Sequence, residues 1–171
     1  MRPLEEEDRF SLYEAVRESV DTVGVWMSWC HSGYSINDAD QWLANCAIDW
    51  QSGTDREFGI LDSTTGQVLG CAGINQINRP NNFANLGYWV RASQTGQGVA
   101  TIAATMIAAF AFSELKLTRL EVVARINNNA SRRVAEKIGC RFEGIARHRL
   151  LYQSCPHDAA VYSLLPIDIA G

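Results

Sequence analysis

Leu86-Gly87-Tyr88-Trp89-Val90, then a loop of four residues, then Thr95-Gly96-Gln97-Gly98-Val99-Ala100-Thr101, is the stretch that decides the fold. A strand runs into a glycine-rich turn, and the turn opens directly into a helix. Glycine tolerates positive φ and lets backbone N–H groups converge without a Cβ in the way. The start of a helix adds N–H groups with no intrahelical partner and the positive end of the helix dipole. Together these make a cradle for an anion, suited to a pyrophosphate. Taken alone, the pattern also fits a tight strand-to-helix turn with no ligand. Other phosphate motifs are excluded. No Lys-Ser/Thr follows the glycines, as a nucleotide P-loop requires, and the third glycine and acidic strand end of a dinucleotide fold are missing.

Outward from this stretch, the periodicities place the other elements. Upstream, 83–90 reads as a strand, preceded by a turn at 79–82, a strand at 67–77, a turn at 63–66 and a strand at 57–62. Before these come two helical patterns. One is 8–20, with Leu12, Val16 and Val20 on one stripe. The other is capped by Ser35 with Asp38 three residues on and carries Ala39, Trp42, Leu43, Cys46 and Trp50. The aromatic-rich segment 23–34 between them reads as an ordered loop or short helix. Downstream, 99–114 is a helix apolar nearly all round, expected to be covered on most sides. Then follow a strand at 119–125, a short helix at 130–138 closed by Gly139, and strands at 140–152 and 159–165 around a turn at 154–158. The result is a mixed α+β fold. Its strand–helix–strand unit over 83–125 should cross over right-handedly with the two strands parallel.

A chain of 171 residues with 47% hydrophobic and 20% charged residues can bury one core, so 1–171 is read as one domain. The net charge of −4 excludes the basic footprint of a nucleic-acid binder. The charge is uneven: residues 1–90 hold five Lys/Arg against thirteen Asp/Glu, and residues 91–171 hold ten against six. Either this is a solvated surface, or the second half faces an anion and the first a cation. Five cysteines, an odd number without C-x-x-C spacing, argue against a disulfide framework or a zinc site and for a reducing compartment. The acidic start at Glu5-Glu6-Glu7-Asp8 is not an export signal, and the apolar run 99–112 is shorter than the ~20 residues a membrane span needs. A cytoplasmic protein without membrane contact is expected.

The second informative element is Asn128-Asn129-Ala130-Ser131-Arg132-Arg133-Val134-Ala135-Glu136-Lys137-Ile138-Gly139-Cys140-Arg141-Phe142-Glu143-Gly144. With it, the sequence resembles the GCN5-related N-acetyltransferase (GNAT) superfamily, and within it the branch that acetylates N-terminal amines of ribosomal proteins. The resemblance covers essentially the whole chain. It runs from Arg2-Pro3-Leu4 through Leu86–Val90, the glycine turn and the Asn-x-Ala-Ser helix to Val161-Tyr162-Ser163-Leu164-Leu165.

This resemblance implies a mostly antiparallel sheet, flanked by helices, with a splayed parallel pair, here 86–90 and 119–125, and acetyl-CoA in the gap as co-substrate, with no metal. Backbone groups of Tyr88, Trp89 and Val90 would pair with the pantetheine arm. Thr95, Gly96, Gln97, Gly98, Val99, Ala100 and Thr101 would hold the pyrophosphate, Asn128 the pantetheine, and Arg132 or Arg133 the nucleotide phosphate. Ser131 would lie near the sulfur as acid or thiolate donor. Its alternative is a plain helix-start residue. Trp29 and His31, with Trp26 and Tyr34, form a candidate acceptor-side wall, and an aromatic core cluster is the other reading. Asn85 is a further acceptor-side candidate.

Departures from the family pattern are informative. The family's Arg or Gln at the first turn position is Thr95 here, which leaves the phosphate to backbone amides or to Gln94 or Gln97. The tyrosine acid of many members is replaced by Ala135. The glutamate that often precedes Leu-Gly-Tyr-Trp is Asn85, and a second glutamate of the ribosomal branch falls near Leu150. Glu143, His148, His157 and Asp158 remain as candidate bases. The strand that precedes Arg-Pro-Leu in relatives is expected to be a stub or absent.

A site with a weak base suits an amine of low pKa. An α-amine titrates near ~8 and a lysine near ~10.4. The expected function is therefore acetyl transfer to a protein N-terminal α-amine by direct attack in a ternary complex, in a monomer or homodimer. A small cationic amine as acceptor, or an acyl-CoA-binding protein without turnover, are the alternatives.

Overall fold

The computed structural model describes residues 1–169. Helix α1 (Arg9–Glu18) follows a single 3-10 turn at Glu6–Asp8. It stops short of the expected Val20 because the buried Ser19 hydroxyl donates to the Ala15 carbonyl, while the Ser19 carbonyl takes the N–H groups of Thr22 and Val23. The chain then turns repeatedly to Tyr34, so the aromatic segment is an ordered loop. Helix α2 (Ile36–Ser52) starts on the expected cap: the Ser35 N–H and hydroxyl donate to Asp38, and the Asp38 N–H donates back to Ser35 Oγ.

Strands β1 (Arg56–Leu61), β2 (Val68–Asn78) and β3 (Phe83–Val90) form an antiparallel meander. Helix α3 (Val99–Ser113) crosses to β4 (Arg119–Arg125), which lies parallel to β3. Helix α4 (Asn129–Lys137), closed by Gly139 at φ 92°, leads to β5 (Arg141–Tyr152) and β6 (Cys155–Leu164). A one-turn helix, α5 (Pro166–Ile169), ends the described chain. The six strands lie in the order β1-β2-β3-β4-β6-β5, antiparallel except for β3 and β4. The expected N-terminal strand is a stub, a single bridge between Arg2 and Gly59.

Each face of the sheet buries its own cluster. On one face Ile74, Leu86, Leu120 and Val122 pack with Ala104, Ile107 and Ala108 of α3 and with Ala135 of α4. On the other, Val68 and Cys71 pack with Leu12 and Val16 of α1 and Leu43 of α2. Strand alternation makes this possible: in β3, Leu86 faces α3 while Trp89 faces α1.

Two expectations are corrected. Helix α3 is not covered on most sides, since Ile102 and Met106 are 63% and 50% exposed. It is an outer layer of the fold and buries one face, Ala103, Ala104, Ile107, Ala108 and Ala111. The β5–β6 turn is not at 154–158 but at Gln153 and Ser154, both with positive φ, and β6 begins at Cys155. Pro156 reads as a breaker, yet it pairs only with Leu151 of β5, beyond the end of β4, where no third strand needs its missing N–H. Among the described residues no helix is long and apolar enough to cross a membrane.

Candidate functional site

The parallel pair β3–β4 is in register at Phe83/Arg119, Ala84/Leu120 and Asn85/Glu121, and there the pairing ends. From Leu86 onward β3 keeps only β2 as a strand partner. Its free side borders a cavity of about 470 Å³. This is the splay expected from the sequence. Of the residues assigned to a cofactor, Tyr88, Trp89, Val90, Thr95, Gly96, Gly98, Val99, Ala100, Thr101, Asn128, Ser131 and Arg133 all line this one cavity.

At one end lies the start of α3. Gly96 and Gly98 have φ of 77° and 82°, and a Cβ at either would meet nothing within 4 Å, so the turn presents bare backbone to open space. No side chain caps the helix, and its first bonded amide is Ile102, which donates to Gly98 O. The N–H groups of Val99, Ala100 and Thr101 are thus free of helical partners beside the cavity. The side chains of the turn fold back on it: Thr95 Oγ1 donates to Ala92 O and Gln97 Nε2 to Ser93 O. Gln97 therefore lies outside the cavity, contrary to expectation, and Gln94 lines it instead.

Two cations complete this end, Arg133 and Lys137, one turn apart on α4. Arg132 is turned away, donating to Tyr162 Oη and Ile126 O, and only Arg133 of the two arginines lines the cavity. Lys137 went unnoticed in the sequence, although its spacing of four from Arg133 puts both on one helix face.

At the other end stand Ser131 and Tyr88. Asn128 caps α4 by accepting the Ser131 N–H, which places the serine on the first turn. Ser131 Oγ donates to Tyr88 Oη at 3.3 Å, and Tyr88 Oη donates to Ser131 O at 2.9 Å. Burial pushes the Tyr88 phenol up, so it stays a proton donor across the physiological range. Sequence reasoning used only the backbone of Tyr88. Its hydroxyl becomes visible only when α4 packs over β3. The facing wall, Thr22, Val23, Trp26 and Met27, was also missed as cofactor-side. Arg125 fixes this loop by donating to Val25 O and standing over Trp26, and Tyr152 Oη donates to Gly24 O.

A second cavity of about 240 Å³ opens on the opposite face of β3, between α1 and α2. Trp29 and His31 line it with Tyr34, Trp42 and Trp89, and with the polar groups of Asp38, Gln41 and Asn45, whereas Trp26, grouped with them from sequence, lines the larger cavity. Trp29 meets Trp89 edge-on, ring centroids 5.5 Å apart. Trp89 belongs to both cavities. Asn85 lines neither: its Nδ2 donates to Asn75 Oδ1 across the β2–β3 ladder.

The candidate bases named from sequence lie outside both cavities. Glu143 forms a bidentate pair with Arg119, which holds its carboxyl down at about 2. Asp158 accepts the His148 N–H, and His157 packs on Tyr152. Burial raises the Cys46 and Cys140 thiols to about 12, which marks them as packing groups. Among the described residues no cluster of His, Cys, Asp and Glu could hold a metal ion.

Residues 1–141 match the family described as "Acetyltransferase (GNAT) domain". YdaF of Bacillus subtilis (strain 168), assigned as a ribosomal N-acetyltransferase, is 30% identical over 100% of this chain and 93% of its own length. Among solved structures, a Vibrio cholerae protein assigned as a ribosomal-protein-serine acetyltransferase superposes with a TM-score of 0.86 at 30% identity, covering 96% of this chain and 92% of that one. RimL, a ribosomal α-N-protein acetyltransferase in complex with coenzyme A, superposes with a TM-score of 0.87 at 21% identity, covering 98% and 93%. At that identity the likeness is one of fold.

Proposed function

Because the chain belongs to the GNAT acetyltransferase family and is thereby an acetyl-CoA-dependent acyltransferase, we propose that the larger cavity takes acetyl-CoA and that the acceptor is the α-amine at a protein or peptide N-terminus. The observation that carries the first part is the parting of β3 from β4 next to the uncapped start of α3. The β3 edge offers unpaired backbone to an extended pantetheine arm, as an added strand would. The free N–H groups of Val99, Ala100 and Thr101, with Arg133 and Lys137, meet the phosphates.

The chemistry asked of the protein is small. A neutral amine attacks the thioester carbonyl in a ternary complex. A backbone N–H of the Tyr88 segment steadies the oxyanion, and the departing thiolate takes a proton from Ser131 Oγ, which lies against Tyr88 Oη and regains a proton from the nitrogen as it becomes an amide. Holding amine and thioester in line on either side of β3 supplies much of the remaining acceleration.

What supports an α-amine is the absence, among the described residues lining either cavity, of a carboxylate other than Asp38, which the α2 cap already engages. At neutral pH roughly a tenth of an α-amine is already unprotonated, against well under about 0.1% of a lysine. The names of the relatives point the same way. A small cationic amine is the second reading. It is favoured by the small size and aromatic lining of the smaller cavity, which match one small molecule better than a long peptide.

Calorimetric titration with acetyl-CoA, with adenosine diphosphate as control, tests the first cavity. Turnover is then compared for peptides with a free N-terminus, Nα-blocked lysine peptides and small amines. Free-N-terminus peptides should be acetylated fastest. Preference for lysine peptides would overturn the α-amine reading. Acetyl-CoA binding without turnover of any amine would reduce the protein to a binder.

A further inference from the structure

The mechanism above names no group that accepts the proton of an acceptor arriving as ammonium. On the α1/α2 face of the sheet lies a row of side chains that it leaves unused. Glu57, Gly73 and Gly87 are in register across β1, β2 and β3, and Asn75 and Asn85 are the next inward pair on the same face. Both glycines are needed for what crosses them. A Cβ at Gly73 would stand 2.5 Å from a Glu57 carboxylate oxygen, and one at Gly87 would stand 3.2 Å from Asn75 Nδ2. The Glu57 carboxylate thus lies across β2 near Asn75, whose amide favours its charged form, and Asn75 Oδ1 accepts from Asn85 Nδ2 at 2.9 Å. Asn85 is the last residue of β3 paired with β4. The row itself lines neither cavity, but it leads from a carboxylate to the last residue of β3 before the two strands part, a distance that a water molecule has to bridge.

Glu121 and Glu143 share Arg119, whereas Glu57 has no ion-pair partner among the described residues. The titratable groups that face Glu57 are Asp49 and Cys46 of α2, the adjoining Asp55, and Cys71 of β2. None is a cation.

We infer that Glu57 is the proton acceptor of the transfer reaction, held toward the strand gap by Asn75 and Asn85. The inference rests on the amine-acceptor reading given above. The step balances without a further reagent. A water molecule between the acceptor and the carboxylate takes one proton from the ammonium and gives one to Glu57. This leaves a free amine, whose lone pair forms the new N–C bond as the thioester C–S bond breaks, and the second proton that the nitrogen sheds replaces the one the thiolate takes from Ser131 Oγ. Glu57 then returns its proton to solvent. Burial raises the Glu57 carboxyl to about 7, with Asp55 and Asp49 adding to the rise, so the group is poised for proton exchange near neutral pH.

The test is the pH dependence of kcat/KM for a free-N-terminus peptide, in the wild type and in Glu57→Gln, Glu57→Asp and the double variant Glu57→Gln/Asn85→Glu, with acetyl-CoA affinity measured for each by calorimetry. Wild type should show an acidic limb near pH 7. Glu57→Gln should lose about 100-fold at pH 7, a typical general-base contribution, and recover to within about 5-fold above pH 9, where the amine deprotonates unaided. Glu57→Asp should keep part of the activity. Asn85→Glu, which moves a carboxylate to the inner end of the row, should restore at least about 10-fold of what Glu57→Gln loses. Acetyl-CoA affinity should stay unchanged throughout. An active wild type whose profile survives Glu57→Gln, or falls equally at every pH, would overturn the role of Glu57 alone. A wild type that acetylates no amine would overturn the reading on which it stands.

Discussion

Tyr88 and Trp89 are neighbours in sequence and serve opposite sides of the same strand. Tyr88 turns toward α4 and meets Ser131, whereas Trp89 turns toward α1 and meets Trp29. The two sides are built differently. On the Tyr88 side the working groups are largely backbone: the unpaired edge of β3 and the first N–H groups of α3, bordered by glycine and alanine. On the Trp89 side they are side chains brought together from α1, α2 and the loop between them. Backbone groups survive substitution, so the first side can do without the family's Arg or Gln at Thr95. Side chains do not, so under the proposed function the second side is the one that would set acceptor preference.

The sharpest way to break this comparison is to disturb the backbone itself. Gly98→Val places a β-branched residue at φ 82° where α3 begins. With about 1–3 kcal/mol of strain per such residue, acetyl-CoA affinity should fall by about 100-fold in a calorimetric titration. Thr95→Ala, which removes only a side chain already bonded to Ala92 O, should change it by less than about 3-fold. Equal losses would show that the turn grips phosphate through side chains. Ser131→Ala should separate binding from chemistry on the same side, lowering kcat by about 100-fold with acetyl-CoA affinity retained. A variant of undiminished kcat would move the proton donor to Tyr88 Oη, and Tyr88→Phe would then carry the loss.

Backbone-built and side-chain-built regions also differ in how far they can be read from sequence. Strand β3 and the first residue of α3 stand where the alternation and the glycines put them, and the Ser35 cap opens α2 as its spacing with Asp38 indicates. These are local signals. The misreadings have non-local causes. Helix α3 is so rich in alanine and other apolar residues that no stripe distinguishes its buried face from the one bearing Ile102 and Met106. Gln153 and Ser154 adopt positive φ without the glycine or asparagine that usually announces it. Trp26 and Met27 reach the larger cavity only because Arg125 and Tyr152, about a hundred residues away or more, fasten their loop. Gln97, Arg132 and Asn85 have the right position for a site, but local or cross-strand hydrogen bonds claim them.

On the Trp89 side the expected effects are smaller and fall on the acceptor. Trp29→Ala removes an aromatic pair and one wall of the smaller cavity. Such pairs contribute about 0.5–1.5 kcal/mol beyond the area they bury, so the KM for the acceptor should rise about 10-fold while acetyl-CoA affinity is unchanged. A raised acetyl-CoA Kd instead would mean that Trp29 acts through Trp89 on the other cavity, and the two sides would not be independent.

The smallest effect lies where the two sides are fastened. Glu18 at the end of α1 accepts from Arg91, which follows β3, and from the Ser93 N–H of the segment leading to the glycine turn. Arg91 is 6% exposed, so its charge depends on this partner. Hydrogen bonds from Arg91 hold the Glu18 carboxyl down at about 2, against an ordinary 4.5. A carboxyl lowered in the folded state contributes stability that is complete above the unfolded value and is lost as pH falls through the folded one. Glu18→Gln keeps one oxygen, which can still accept from Arg91, but loses the charge and turns an amide NH2 toward the Ser93 N–H. It should therefore cost about 1 kcal/mol at pH 7, a figure kept low because Glu18 is partly open to solvent. In urea unfolding, the gap between wild type and variant should be constant from pH 7 to about 4.5 and close toward pH 2. Glu143, held equally low by Arg119, titrates in the same window in both proteins, so only the difference between them reports on Glu18. A gap that persists at pH 2 would show that the contact matters for its shape rather than its charge. The fastening would then be insensitive to acid, unlike the pair described here.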